Sequence, residues 1–432
     1  MLWVLWAFVS ILVLIEAGSN DGLLIAYFSY LAVSTFALWR SRHDLLAPVG
    51  AFTLVAFSGF GFNIPLIAAG YVPYIQIDNA TLTKVLAIVL SAQLGFTCGV
   101  MITRHVQSPL RRLLNTSLQM KRTSIFSFAG LIVLQVAAGA TRKWLHLGEA
   151  GSQPSVGYAG VLQFFLYHGV LILCVWYLAQ ALADKKRMHA VMGLLLLLGM
   201  AITQALMGWR GWILYVIIIA IVPFWYQFIS METRRHFSMG WLIILLFSSS
   251  SVIHLGGMVR TERLGGESGF TKGTEELLRN VFLRSQGTTR LAEVAHYFGP
   301  LSFTNNFLIQ ELMAKNSSVT VYIDRNVYGI EPTQSHSVGS SGPGGPYTAA
   351  GILGVLITYG FIGFLYRESY HAIFRPNTSK ISVLAVVWYA FLILMLFEIL
   401  NENFGINSLK MYFAVLAQLC LFKLFLTRNQ KA

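Results

Sequence analysis

Apolar residues along this chain gather into twelve long runs separated by short polar links. The runs cover residues 2–17, 22–39, 47–72, 83–103, 124–141, 159–182, 190–208, 211–229, 240–258, 347–366, 381–399 and 406–427. A helix needs roughly 20 mostly apolar residues to cross the hydrocarbon of a bilayer. The pattern therefore predicts an all-α polytopic membrane protein of about twelve transmembrane helices. Residues 1–258 carry the first nine spans and 347–432 the last three, with 259–346 as one large loop between them. The first run, MLWVLWAFVSILVLIEAG, lacks a basic leader and a small-residue cleavage site. It reads as a retained helix. No motif recurs at a fixed period, which disfavours the paired halves common among transporters.

The loop has its own pattern. In EELLRNVFLRSQGTTRLAEVAHYF the residues Leu277, Leu278, Val281 and Phe282, then Leu291, Val294 and Phe298, recur at helical spacing. FTNNFLIQELMAK reads as a second short helix, and HSVGSSGPGGP is a turn-rich entry to the tenth run. So long a loop with internal periodicity points to function rather than connection.

Charge then sets the orientation. Alternate links carry Arg40/Arg42, Arg104/Arg111/Arg112/Lys121/Arg122, Lys185/Lys186/Arg187, Arg234/Arg235, Arg367/Arg375/Lys380 and Arg428/Lys431. The opposite short links carry Lys84, Arg142, Lys143 and Arg210. The positive-inside rule puts both termini in the cytoplasm and the 259–346 loop outside. The net charge of +13 is thus topological and calls for no nucleic-acid partner. Only 11% of residues are charged, far below a soluble domain. Cys98, Cys174 and Cys420 sit in apolar runs without metal-ligand spacing and read as small buried hydrophobes.

Candidate chemistry lies on the outer side. Arg210, in LMGWRGW, reads either as an interfacial residue flanked by tryptophans or as a guanidinium turned to a phosphate. Arg279, Arg284 and Arg290 lie in the loop helix, where a bend at Gly287 could bring them together. They could equally pair with Glu275, Glu276 and Glu293 on a solvated face. His336 stands in a Gly/Ser turn that admits close approach of a ligand, and an imidazole there could accept a hydroxyl proton. Glu331 and Glu402 are alternative bases. The runs Ser248–Ser251 with His254, and Glu398, Asn401, Glu402 and Asn403, suit a shared water-filled cavity or helix-to-helix hydrogen bonds. No metal-binding or serine-triad motif stands out, so neither a metal nor another cofactor is expected.

The layout resembles the Wzy-type O-antigen and oligosaccharide repeat-unit polymerases. The resemblance rests on many spans, one large late loop, MGWRGWILYVIII, FLRSQGTTRLAEVAHYF, HSVGSSGPGGPYTAAGILG and NENFGINSLK. It implies a GT-C-like integral-membrane glycosyltransferase of the bacterial inner membrane with its active site facing the periplasm. Donor and acceptor would be undecaprenyl-diphosphate-linked oligosaccharides, among membrane lipids and with a Wzz-type chain-length regulator as a further partner. Arg210, Arg279, Arg284 and Arg290 would hold the diphosphate, and His336, Glu331 or Glu402 would serve as base. The O-antigen ligases share this architecture. A flippase or transporter for lipid-linked or anionic substrates is the reading from another class, and it leaves the large loop unexplained.

Overall fold

The computed structural model describes residues 2–61, 63–70, 77–102, 108–114, 125–140, 158–206, 211–229, 287–297, 342–374, 381–401 and 415–421. Every named element among them is helical, with one isolated antiparallel bridge between Phe374 and Ile381. We number the helices α1 (Leu2–Glu16), α2 (Asp21–Arg40), α3 (Pro48–Ala56), α4 (Asn63–Ala68), α5 (Asn79–Met101), α6 (Pro109–Leu114) and α7 (Ile125–Ala140). There follow α8 (Tyr158–Ala183), α9 (Arg187–Leu206), α10 (Gly211–Pro223), α11 (Gly287–Tyr297), α12 (Gly344–Ile373) and α13 (Val383–Asn401).

Among the described residues, four helical stretches are long and apolar enough to cross a membrane: Asp21–Arg40, Pro48–Ala68, Asn79–Met101 and Gly344–Ile373. Their outward faces are apolar too. On α12 the exposed residues Leu353, Ile357 and Phe361 are four apart, and on α9 Met188, Val191, Leu195, Leu198 and Ile202 follow one helical stripe. Stripes this greasy suit lipid and not water. The architecture is that of a helical, membrane-embedded protein. The 240–258 run lies outside the described residues, and of the 406–427 run only 415–421 is described.

The chain divides into two compact units. The first takes residues 1–105, 282–367 and 395–411. Its helices begin where capping chemistry allows. Asn20 accepts from the Leu23 N–H at 2.9 Å to start α2, and Asp78 accepts from the Thr81 N–H at 2.8 Å to start α5. Each cap satisfies a backbone donor that has no partner in a helical first turn. Beyond Ala56 the third run widens into a π-helical turn, Phe57–Gly61, before resuming as α4. Such a turn breaks the ordinary ladder. Side chains fill the gap: the Tyr27 hydroxyl donates to the Gly61 carbonyl at 2.7 Å, and Asn63 Nδ2 donates to the Gly59 carbonyl at 2.6 Å. Deeper in this unit Gln93 Nε2 donates to Thr53 Oγ1 at 3.2 Å. Phe96 stacks on Phe52 at 4.3 Å, and Tyr359 meets Phe52 edge-on at 5.8 Å.

Glycines set the tightest approach. A Cβ on Gly95 would meet the Leu356 carbonyl at 2.5 Å, one on Gly99 the Gly360 carbonyl, and one on Gly363 the Phe96 carbonyl. Thus α5 and α12 cross backbone to backbone, the geometry that small residues permit in lipid. The tenth run extends well past its expected end at residue 366, and it is broken near its start. Ala350 (φ −151°, ψ 28°) and Gly351 (φ 60°, ψ −149°) leave helical geometry. The positive φ is one that glycine tolerates at little cost.

The second unit takes residues 106–281, 368–394 and 412–432. There α8 packs on α9, α7 and α10. Gln135 Nε2 of α7 donates to the Leu196 carbonyl of α9 at 2.8 Å. Gly193 lets α9 close on α8, since a Cβ there would lie 3.0 Å from Leu178 Cα. Pro223 closes α10, which passes into a second π turn, Phe224–Phe228. Tyr226, Tyr370, Phe374 and Tyr389 form an aromatic knot with centroids 5.4–6.3 Å apart. Trp388 Nε1 donates to Ser369 Oγ at 2.8 Å, and Ser382 Oγ to the Leu114 carbonyl at 2.7 Å. One expectation is corrected here. Cys174 is buried, but Cys98 is exposed on α5 and Cys420 is half-buried. A run that faces lipid on one side places its cysteines by rotation about the helix, which an apolar composition does not fix.

Candidate functional site

The candidate site is organised by α11, the described helix of the large loop. Leu291, Ala292, Val294 and Ala295 are all buried, and so is Thr288. The helix packs on α5 and on the π turn of the first unit. Thr288 Oγ1 donates to the Gly59 carbonyl at 2.8 Å, so Gly59 accepts from both Thr288 and Asn63. The start of α12 closes in beside it: a Cβ on Gly344 would lie 3.3 Å from Val294 Cγ2. The loop helix is therefore seated among span helices.

Arg290 and Glu293 lie about 60° apart around α11, opposite the face of Thr288, Leu291, Ala292 and Ala295, by the roughly 100° turned per helical residue. Arg290 NH1 donates to Glu293 Oε2 at 2.9 Å. Their side chains are only 17% and 6% exposed. The sequence left open a solvated face paired with nearby glutamates. The pairing with Glu293 is present and both of its partners are shielded, while Arg279, Arg284, Glu275 and Glu276 lie outside the described residues. A shielded ion pair costs desolvation that a surface pair avoids, so it is weak evidence for stability alone.

The far end of α11 meets the start of α5. His296, exposed in the last turn, lies close enough to Asp78 for its charge to be felt. Hydrogen bonds from the Thr81 side chain and backbone hold the Asp78 carboxyl below the usual carboxylate range, and His296 and Lys84 add to the effect. Asp78 is thus an ionised cap at neutral pH.

Of the sequence-derived site residues, Arg290 is placed by the structure. Arg210, Arg279, Arg284, Glu331, His336 and Glu402 lie outside the described residues, as do the 248–251 serines, His254 and Asn403. The positions of Glu398 and Asn401 fall near the end of α13, but their side chains are not described. Gly287 is the first residue of α11, and the segment before it, on which a bend there would depend, lies outside the described residues. Among the described residues no three His, Cys, Asp or Glu side chains could jointly hold a metal ion. Thr288, Gly59, Asn63 and Asp78 were not singled out from the sequence. The Gly-Phe-Gly-Phe-Asn stretch at 59–63 signals Gly59 and Asn63 weakly, and the Asp-x-x-Thr spacing at 78–81 signals Asp78. What remains is a guanidinium fixed by a carboxylate on a docked helix, an arrangement suited to charge-assisted recognition of a phosphate or carboxylate. No known protein family, curated protein or solved structure matches this chain.

Proposed function

We propose that this chain polymerises undecaprenyl-diphosphate-linked oligosaccharide repeat units into O-antigen or a related surface polysaccharide. In this reading it is a GT-C-like enzyme of the bacterial inner membrane with about twelve spans. Both termini are cytoplasmic and the site faces the periplasm. The observation that carries the reading is Arg290, held by Glu293 on a loop helix docked among apolar spans. An enzyme that acts on lipid-linked diphosphates needs a fixed cation beside the membrane and no nucleotide-sugar domain.

The chemistry follows from the leaving group. The acceptor hydroxyl attacks the anomeric carbon of the donor sugar, and the bond to the diphosphate oxygen breaks. Undecaprenyl diphosphate departs with the electron pair. Arg210, Arg279, Arg284 and Arg290 would carry the charge that develops on that oxygen, as preorganised donors do elsewhere. His336, or Glu331 or Glu402 in its place, would take the hydroxyl proton. A positioned base typically contributes about 10²–10⁴-fold.

Deleting the gene and resolving surface polysaccharide on a gel tests the reading. We expect the ladder to collapse to a single-repeat band. Loss of all attached repeats would reassign the chain as a ligase to lipid A-core. An unchanged ladder would discard both and return attention to transport.

A further inference from the structure

We infer that Glu293 is a positioning residue for Arg290, aiming its guanidinium at a diphosphate. The inference rests on the proposed function above and deepens it. Three observations carry it. First, the contact is short: guanidinium nitrogen NH1 donates to carboxylate oxygen Oε2 at 2.9 Å. Second, both side chains are largely shielded, Glu293 almost completely. An arginine in water has many rotamers and gains little from one neighbour. In a shielded site a hydrogen-bonded charge is strong, and its removal is felt. Third, the platform itself is held. Thr288 ties the first turn of α11 to the Gly59 carbonyl, and Leu291, Ala292, Val294 and Ala295 are buried along it. A carboxylate one helical turn from the arginine, on a helix that is itself clamped, is the supporting group that a preorganised binding residue needs.

A guanidinium has several N–H donors in a planar fork. Holding one of them on Glu293 anchors one corner of the group and narrows the positions it can take. An incoming diphosphate then meets the fork already oriented, and less conformational freedom is lost on binding. The carboxylate does not touch the phosphate in this arrangement. It acts through Arg290, and that dependence is what can be measured.

The test uses the full-length protein in uncharged detergent, titrated with inorganic pyrophosphate in a calorimeter. We expect Glu293→Ala to weaken pyrophosphate binding about tenfold or more, the scale of a lost shielded charge-assisted bond. Glu293→Gln keeps an acceptor oxygen and should recover part of the loss, and it carries the test if Glu293→Ala fails to fold. In an Arg290→Ala background, Glu293→Ala should cause no further loss. Independent, additive losses would overturn the positioning role. So would unchanged binding in Glu293→Ala beside a clear loss in Arg290→Ala, which would leave Arg290 as a binding residue. Wild-type protein indifferent to pyrophosphate would overturn the inference and the role of Arg290 together. The polysaccharide ladder is read separately, so an unchanged ladder beside a Glu293-dependent pyrophosphate site would fail the polymerase reading alone.

Discussion

The Gly59 carbonyl shows how one residue ties distant sequence together. It lies in a π turn, and two side-chain donors reach it, one from α4 and one from the large loop. Thr288→Val keeps the shape and removes the loop donor. The net cost should be about 1 kcal/mol, since Asn63 still satisfies the oxygen. Hydrogen exchange reads it: protection over 287–297 should fall in Thr288→Val and stay near wild type in Thr288→Ser. Equal protection in all three proteins would mean the apolar face alone seats α11. At this scale the sequence was partly legible. The Arg290–Glu293 pair follows from their spacing on a helix. Their shielding does not, because it depends on segments far away in the chain, and periodicity speaks only of a residue's near neighbours.

Elements were legible wherever a cap or a long apolar run marked them. The second run, 22–39, became α2 with both ends shifted by one residue, and 159–182 became α8 in the same way. The fourth run starts four residues before its apolar onset because Asp78 caps it. The π turns and the break at Ala350–Gly351 left no trace in hydropathy, since both keep their apolar composition. The glycine crossing of α5 and α12 was also missed: Gly95 and Gly99 are spaced for it, but their partners are more than two hundred residues away. Gly99→Ala should therefore destabilise the protein by about 1–3 kcal/mol, because the new Cβ meets backbone that cannot rotate aside. Gly130→Ala on α7 makes the complementary case. Nothing lies within 4 Å of the new Cβ. Helix propensity alone should stabilise it by up to about 1 kcal/mol. Thermal unfolding in detergent separates the two, and a Gly99→Ala protein as stable as wild type would contradict the close crossing.

For the whole molecule, orientation is the first quantity to establish. The charge rule puts the start of α5 outside and the end of α8 inside. In a cysteine-free background, Ala80→Cys should react with a membrane-impermeant maleimide added to spheroplasts, and Ala183→Cys should not until the cells are opened. The reverse labelling would invert the map. Both positions are exposed, so silence at one is informative. The membrane class was legible because hydrocarbon imposes long apolar runs on any chain that crosses it. The division into two units was not, since each is assembled from three separated stretches. That interleaving has a consequence in time. The glycine seam of α5 is synthesised early, and the α12 seam that closes it follows about 260 residues later. At roughly 5–20 residues per second, α5 waits about 13–50 s for its partner. During that interval its seam is covered by lipid, by the insertion machinery or by a sister helix, and the newborn stretch through α5 is an unfinished bundle.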